Sequence, residues 1–434
     1  MTNLRIAGGQ VLRPDMRVER ADVLVDQDAG DILAVGGEDE ITDSADVVVD
    51  AEGGLVIPGL VNAHTHVAMT LLRGHADDKP LDAWLQEDIW PVEAELEAED
   101  VRAGARLGIL EMIRSGTTCF GDMYFFMPEV VNAVEEAGVR ALLGYGSITV
   151  AKDDEESHEQ MQEGLDFATK YDGTADGRVS TAFMPHSLTT VGERYLRQYV
   201  PTAREEGIPI HFHANETEDE VDPIVDDYAE RPLEYADDVG MLAETSFLAH
   251  GVHTDETEHE LLAERGTAVV HCPASNMKLA SGMAPVQAML DRGVTVGLGT
   301  DGAASNNDLS MFDEMRDAAM LGKLAADDAA AVDAATVVEM ATQGSAAALG
   351  VDSGRVEPGA NADLAVLDLD APHLTPAHDL VSHLVYAVNA ADVRHTVCDG
   401  QVLMRDREVL TLDAESVVAD ARDRATSLVD RAAD

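Results

Sequence analysis

Basic residues are scarce in this chain of 434 residues. Lysine and arginine together number 29, against 83 aspartates and glutamates, which gives a formal net charge of -54. An excess of negative charge this large repels nucleic acid and anionic membranes, so we expect the protein to bind neither. The acidic residues occur in runs along the whole chain, such as "EAELEAED" and "DDEESHE", and do not form one tail.

Cysteine and long apolar runs are also scarce. Cys119, Cys272 and Cys398 are too few for a disulfide framework. No apolar run approaches the roughly 18 residues that a membrane helix needs. The N-terminal "MTNLRIAGGQ" lacks the basic and apolar regions of a signal peptide. Because 45% of the residues are hydrophobic, we expect a globular protein, and we expect it in the cytoplasm.

Both ends of the chain have strand-like patterns. β-Branched residues alternate with Gly and Asp turns in "LRIAGGQVL" and "DVVVDAEG" near the start, and "ANADLAVLDLD" and "VRHTVCDGQVLM" near the end are similar. We predict a small β-sandwich domain built from residues 1–57 and 351–434. Its second part ends in a helix predicted over Ala414 to Ala433.

Residues 58–350 are predicted to form an α/β domain. Short apolar runs alternate with longer stretches of helical periodicity, and the helix candidates are 81–97, 101–115, 128–137 and 193–206. The eight runs are "GLVIPGLVNA", "GTTCFGD", "VRALLGY", "VSTAFMP", "IPIHFHA", "SFLAH", "TAVVH" and "VTVGLGTD". Eight parallel strands with intervening helices predict a (β/α)8 TIM barrel.

Ionisable side chains stand at the C-terminal ends of these runs. They are His64, His66, Asp122, His186, His211, His213, His250, His271 and Asp301. The C-terminal ends of all strands in such a barrel open on one face, where active sites lie. We therefore expect these side chains to converge, although they are far apart in sequence.

His64 and His66 suggest a metal site. Positions i and i+2 of a strand face the same way, and two adjacent imidazoles suit a divalent metal. His213 and Asp301 are candidates for a third and fourth ligand, which would leave a position open for water. This mixture of ligands favours zinc, with iron, manganese and cobalt as alternatives.

Two further residues suit proton transfer beside such a metal. Glu216 lies three residues past His213 in "HFHANE", and His250 ends the sixth run. A bound metal lowers the pKa of its water toward about 7. One acid, one base and that activated water suffice for hydrolytic attack on a ring carbon.

Five motifs in order carry a resemblance to a known family. They are "PGLVNAHTHVAMTLLRG", "HFHANETEDE", "LAHGVH", "HCPASNMKLASG" and "GTDGAASNN". Together they resemble the amidohydrolase superfamily and, within it, the 5-methylthioadenosine/S-adenosylhomocysteine deaminases, over almost the whole chain. The resemblance implies deamination of an adenine nucleoside to the inosine analogue and ammonia. Metal-bound hydroxide would attack C6, and Glu216 would protonate N1 and help ammonia to leave.

The resemblance also implies roles for individual residues. The family's metal ligands correspond to His64, His66, His213 and Asp301, and its catalytic residues to Glu216, His250 and Asp301. Its substrate contacts correspond to Glu93 in "WLQEDIWPVE", for the ribose, to His186 in "MPHS", for the nucleoside, and to Glu216 and Asp301. The bridging lysine of binuclear members is missing from "VSTAFMPHS", so we expect one divalent metal per chain, with zinc favoured.

At one position the chain differs from the family pattern, and this difference widens the range of candidate substrates. Family members that take S-adenosylhomocysteine commonly carry an arginine just after the third barrel strand, where this chain has Gly144, Tyr145 and Gly146. 5'-Methylthioadenosine, S-adenosylhomocysteine, adenosine and 5'-deoxyadenosine all remain candidates. His271 could contact the substrate or only close the pocket, and a homo-oligomer is compatible with the sequence.

Two other functions are alternatives to nucleoside deamination. Another reaction at the same site, such as s-triazine dechlorination or deamination of guanine or another free base, would leave Glu93 and His186 without a role. A non-catalytic small-molecule binder would be expected to have lost a metal ligand or Glu216, and this chain retains them all.

The charge predicts adaptation to molar salt. At about 1 M salt the Debye length is near 3 Å, so repulsion among surface carboxylates is screened. On dialysis into dilute buffer we expect the folded structure to be lost, as followed by circular dichroism. A cooperative unfolding transition that persists in dilute buffer would contradict this prediction.

Overall fold

The structure is a computed structural model that describes residues 2–37, 39–41 and 43–433. Its strands are β1 Asn3–Ala7, β2 Gln10–Leu12, β3 Val18–Arg20, β4 Asp22–Asp26, β5 Asp31–Gly36, β6 Val47–Asp50, β7 Gly54–Pro58, β8 Leu60–Thr65, β9 Thr117–Tyr124, β10 Arg140–Ser147, β11 Val179–Thr181, β12 Met184–Pro185, β13 Ile210–Ala214, β14 Ser246–His250, β15 Ala268–His271, β16 Val296–Leu298, β17 Leu364–Asp368, β18 Val393–Cys398, β19 Gln401–Arg405 and β20 Glu408–Val409. Its helices are α1 Leu81–Trp84, α2 Trp90–Glu93, α3 Ala98–Arg114, α4 Met127–Ala137, α5 Asp154–Tyr171, α6 Glu193–Glu205, α7 Glu218–Tyr228, α8 Pro232–Asp238, α9 Glu256–Arg265, α10 Pro273–Lys278, α11 Val286–Asp291, α12 Met311–Ala326, α13 Ala334–Glu339, α14 Ser345–Leu349, α15 Leu380–Tyr386 and α16 Ala414–Ala433.

Two parallel sheets form the middle of the chain. One has the order β11-β10-β9-β8, with β12 also paired to β10, and the other has the order β13-β14-β15-β16. Helices separate most of these strands along the chain, as expected for parallel connections. The predicted mixed α/β character of this region is confirmed.

Hydrogen bonds connect these two sheets along both of their edges. Isolated parallel bridges join Phe183 to Ile210 and Ser187 to His213. At the opposite edges, the amide of Asp301 donates to the carbonyl of His64 over 3.0 Å. The strand ends of both sheets therefore lie close together.

The first predicted strand was wrong in extent. The run "GLVIPGLVNA" contains two strands, β7 and β8, which lie on either side of Gly59. β7 pairs with β17 and β2, whereas β8 pairs with β9. A Cβ atom at Gly59 would collide with Thr118, so this position has room only for glycine. Both strands are buried along their whole length, and the apolar run therefore conceals the break.

Strands from both ends of the chain form the remaining sheets. Their orders are β5-β4-β1-β6 and β20-β19-β18-β17-β7-β2-β3. The antiparallel pairing of β17 with β7 joins the end of the chain to its beginning. Between the sheets lies a separate apolar core that includes Leu4, Ile6, Val23, Val56, Leu364, Val366 and Val397. The predicted C-terminal helix is confirmed as α16.

A buried ion pair connects these end sheets to the parallel strands. Nε of Arg140, on β10, donates to Oδ2 of Asp363 over 3.1 Å, and Asp363 is buried. Burial alone would raise the pKa of Asp363, but the charge of Arg140 holds it below its ordinary value. A pair this deeply buried requires both partners, because loss of either would leave an uncompensated charge.

The predicted helices agree with the structure except at residues 81–97. There the chain forms α1, a π-helical turn over Leu85–Ile89, and α2. Pro91, the second residue after this turn, has no backbone N–H to continue a regular helix. The helix predicted over 193–206 contains Pro201 and still forms, as α6. Within the described residues, no helix combines the length and apolar character needed to span a membrane.

Candidate active site

The ends of the parallel strands bring five of the predicted side chains together. His64 is the next-to-last residue of β8 and His66 lies just beyond the strand, His213 lies on β13, His250 ends β14, and Asp301 follows β16. Four of them are buried and His66 is partly exposed. They border a cavity of about 360 Å³, which His66, His213, His250 and Asp301 line directly.

The imidazoles of His66 and His213 are held by backbone carbonyls. Nδ1 of His66 donates to the carbonyl of Met123 over 2.5 Å, and Nδ1 of His213 donates to the carbonyl of His186 over 2.7 Å. A carbonyl can only accept, so the proton of each ring lies on Nδ1. In its neutral form each ring therefore presents its Nε2 lone pair to a cation. Burial lowers the pKa of His66, but the neighbouring Asp301 carboxylate outweighs this and raises it to about 9, so a metal that binds there displaces a proton.

His64 is oriented in the same way by a third imidazole. Nδ1 of His211 donates to the carbonyl of Phe247 over 3.1 Å, so Nε2 of His211 accepts from Nδ1 of His64 over 2.9 Å. Burial lowers the pKa of His64 to about 4 and keeps the ring neutral near pH 7. His211 is thus a positioning residue behind His64.

The free nitrogens converge with one carboxylate oxygen. Nε2 of His213 lies 3.2 Å from Nε2 of His64, and Oδ1 of Asp301 lies 3.2 Å from Nε2 of His66 and 3.5 Å from Nε2 of His64. Lone pairs that face each other at these distances repel unless a cation lies between them.

Two serines orient the carboxylate of Asp301. The hydroxyls of Ser275 and Ser305 donate to Oδ2 over 2.7 Å and 2.8 Å. These bonds occupy Oδ2 and leave Oδ1 directed at the histidines. Neither serine was predicted, because single serines in loop motifs are too common to single out.

The chemistry of this donor set fits one divalent metal. Three imidazole nitrogens and one carboxylate oxygen are donors that zinc prefers. The ligand atoms of His64, His66 and Asp301 lie within 4.8 Å of one another, as do those of His64, His213 and His250.

Glu216 and His250 face each other beside these ligands. Nδ1 of His250 donates to Oδ1 of Asn276 over 3.0 Å, which places Nε2 of His250 3.6 Å from Oε2 of Glu216. Burial raises the pKa of Glu216, so its carboxyl group can hold a proton closer to neutral pH. Asn276 was not predicted, since its link to His250 spans 26 residues.

A second carboxyl group holds the backbone of Glu216. Oε2 of Glu220 accepts from the amide of Glu216 over 2.8 Å, and Glu220 also lines the cavity. Asn215, in a left-handed conformation with φ 55°, donates to the buried Glu258 over 3.2 Å. These contacts fix the turn that directs Glu216 toward the cavity.

Glu93 and His186 line the same cavity. The hydroxyl of Tyr124, at the end of β9, donates to Oε1 of Glu93 over 2.6 Å. Burial raises the pKa of Glu93 to about 7 and lowers that of His186 to about 3. Tyr124 was not predicted, because a strand-end tyrosine is indistinguishable in sequence from a core residue.

Two other predicted strand-end residues lie outside this group. Asp122 accepts from the hydroxyl of Thr65 over 2.9 Å and from the amide of Val67 over 2.6 Å, so it supports the turn that follows β8. His271 is buried and is not among the residues that line the cavity.

Comparisons with known proteins identify the family. The model of the Amidohydrolase family matches residues 55–403, and the chain therefore belongs to this family. It is 69% identical over 434 residues to the 5-methylthioadenosine/S-adenosylhomocysteine deaminase of Haloarcula marismortui, with 100% of both chains covered.

Solved structures match over almost the full length as well. An adenosine deaminase from Xanthomonas campestris with bound zinc is 39% identical, with a TM-score of 0.93 and 99% of each chain covered. Atrazine chlorohydrolase from Arthrobacter aurescens, complexed with zinc, is 25% identical, with a TM-score of 0.89 and coverage of 97% of this chain and 100% of that one.

Replacing His211 by alanine is expected to weaken metal binding. His64 would lose the acceptor that fixes its Nδ1 proton, and losing such a partner typically costs about 10- to 100-fold in metal affinity. Competition with a zinc chelator measures the change. His271→Ala is the matched control, since His271 is also buried at a strand end but lies outside the network. Equal losses in both variants would contradict the orienting role of His211.

Proposed function

We propose that the protein is a metal-dependent hydrolase that deaminates an adenine nucleoside to the inosine analogue and ammonia. The observation that carries this proposal is the convergence of four ligand atoms on one cavity that also contains Glu216, Glu93 and His186. The deaminase names of the Haloarcula and Xanthomonas proteins support the same reaction.

We propose also that the two parallel sheets close into a (β/α)8 barrel over residues 58–350. β11 and β12 would then be two halves of the fourth strand, and the contacts of Asp301 with His64 and of Phe183 with Ile210 would lie at the two seams. Residues 1–57 and 351–434 would form the accompanying β-sandwich, whose two sheets enclose their own core.

His64, His66, His213 and Asp301 would hold one divalent metal, and the donor set favours zinc. A metal bound there supplies an activated water, by lowering the pKa of that water toward about 7. His250, held by Asn276, is placed to orient the attacking water and to take its proton.

Glu216 would act as the proton carrier. Its pKa is raised by burial, so the protonated carboxyl group can donate to N1 of the adenine ring when water attacks C6. The same group can then move a proton to the departing amine. Asp301 and Glu216 would both contact the reacting part of the ring, since both line the cavity.

Glu93 and His186 would bind the rest of the nucleoside. A carboxylate suits the paired hydroxyls of a ribose, and the imidazole of His186 suits the purine ring. The cavity, at about 360 Å³, lies in the range of small-molecule sites. These two residues favour a nucleoside over an s-triazine or a free base, for which Glu93 and its partner Tyr124 would have no function.

Ammonia release from the zinc-loaded protein in molar salt tests this function. The panel contains adenine nucleosides, free adenine, guanine and an s-triazine. We expect release from the nucleosides, and Glu216→Gln should lower it by at least about 100-fold, since general acid–base catalysis contributes about 100- to 10,000-fold. Glu218→Gln, at an exposed position beside the cavity, is the control. With about one metal per chain, release from none of the nucleosides would contradict the proposal.

Glu93 and Tyr124 give a separate prediction about the ribose. Glu93→Ala should raise KM for a nucleoside far more than KM for the matching free base. Tyr124→Phe keeps the ring but removes the hydrogen bond, so it should cause a smaller rise of the same kind. Steady-state kinetics on both substrates measures the two effects. If Glu93→Ala raised KM equally for the nucleoside and for the free base, a ribose-binding role of Glu93 would be ruled out.

A further inference from the structure

Apart from Tyr124, the ionisable residues that line the cavity are histidines and carboxylic acids. The acids are Asp82, Glu93, Glu216, Asp219, Glu220 and Asp301. Among the described residues that border the cavity there is no lysine or arginine. Asp301 and Glu216 belong to the reacting end, and Glu93 is assigned to the ribose. Asp82 and Asp219 are exposed and lie at the mouth.

Apolar side chains contribute much of the remaining lining, together with the hydroxyl groups of Ser187, Thr189, Thr190 and Thr217. Leu81, Leu85, Trp90, Phe125, Ile148, Pro223 and Leu279 contribute to it. Of these residues, Leu279 is buried, with 6% of its surface exposed, whereas Trp90, at 38%, and Pro223 are exposed. A substituent that projects from the ribose toward solvent would therefore pass between apolar side chains, with two carboxylates at the exit.

The lysines that are close in sequence to these lining residues do not line the cavity. Nζ of Lys278 lies 2.6 Å from Asp77 and also donates to the carbonyl of Ala304 over 3.0 Å. Lys79 pairs with Glu87 over 3.2 Å and also with Asp88. Lys152, four residues past Ile148, is exposed and does not line the cavity.

We propose that the mouth of the cavity selects the 5' substituent of the nucleoside by its charge. It takes a short apolar group, such as methylthio or hydrogen, or a cationic one, and it discriminates against a carboxylate. This inference rests on the proposed nucleoside deamination and identifies the substrate class more closely. A carboxylate between the apolar side chains would lose water without gaining a cationic partner. Within the short distance over which molar salt leaves a charge unscreened, Asp82 and Asp219 would repel it further, whereas they would attract an ammonium group.

The test compares substrates that differ only in the anion. S-Adenosylhomocysteine and its decarboxylated analogue share the same thioether and amine. We expect kcat/KM for the decarboxylated compound and for methylthioadenosine to exceed that for S-adenosylhomocysteine by about tenfold or more in molar salt. Equal values for the three substrates would overturn the inference. If none of the three is deaminated, the proposed function has failed instead.

Charge reversal at the mouth supplies the second half of the experiment. Asp82→Arg and Asp219→Arg should lower the ratio of kcat/KM for the decarboxylated compound to kcat/KM for S-adenosylhomocysteine. Asp222→Arg is the matched control, because Asp222 is exposed on the same helix as Asp219 but does not line the cavity. A ratio that changes equally in all three variants would contradict the assignment to Asp82 and Asp219. A selective loss of S-adenosylhomocysteine turnover in Lys152→Ala would show that this lysine binds the carboxylate, and would also overturn the inference.

Discussion

The Nε2 atoms of His64 and His213 lie 3.2 Å apart, and neither carries a proton. Each ring is fixed by a hydrogen bond from its Nδ1, so turning a ring away would break a buried contact. The repulsion between the two lone pairs can only be relieved by a positive charge between them. The arrangement of the strand ends is therefore suited to a cation held between the two rings.

The fixed orientation of these rings depends on the backbone of neighbouring strands. The carbonyls that fix His66 and His213 belong to β9 and to the segment after β12, so the rings are aligned only while those strands keep their register. β8 in turn begins directly after Gly59, where the chain leaves the sheet that its two ends build. The sheets from the chain ends thus hold the start of the strand that carries His64.

The position of the site was largely predictable from sequence, but the residues that orient its side chains by hydrogen bonds were not. His64, His66, His213 and Asp301 follow short apolar runs, and the C-terminal ends of parallel strands meet. Tyr124, Asn276 and Ser275 carry no such signal, because their partners lie 26 to 31 residues away and become neighbours only on folding. The break at Gly59 was missed for another reason, since β7 and β8 are both fully buried and share one apolar pattern.

The scarcity of basic residues has different consequences at the surface and in the cavity. Exposed carboxylates remain hydrated and are screened by salt, so their mutual repulsion is modest in molar salt. Glu93, Glu216 and Glu220 line a cavity that, among the residues that the structure describes, has no lysine or arginine, and burial raises the pKa of each of them. Protons, together with a cation at the histidines, must therefore balance the charge there. A raised carboxyl pKa suits an acid catalyst, so the same shortage of cations that would disfavour an anionic substituent also favours proton transfer by Glu216.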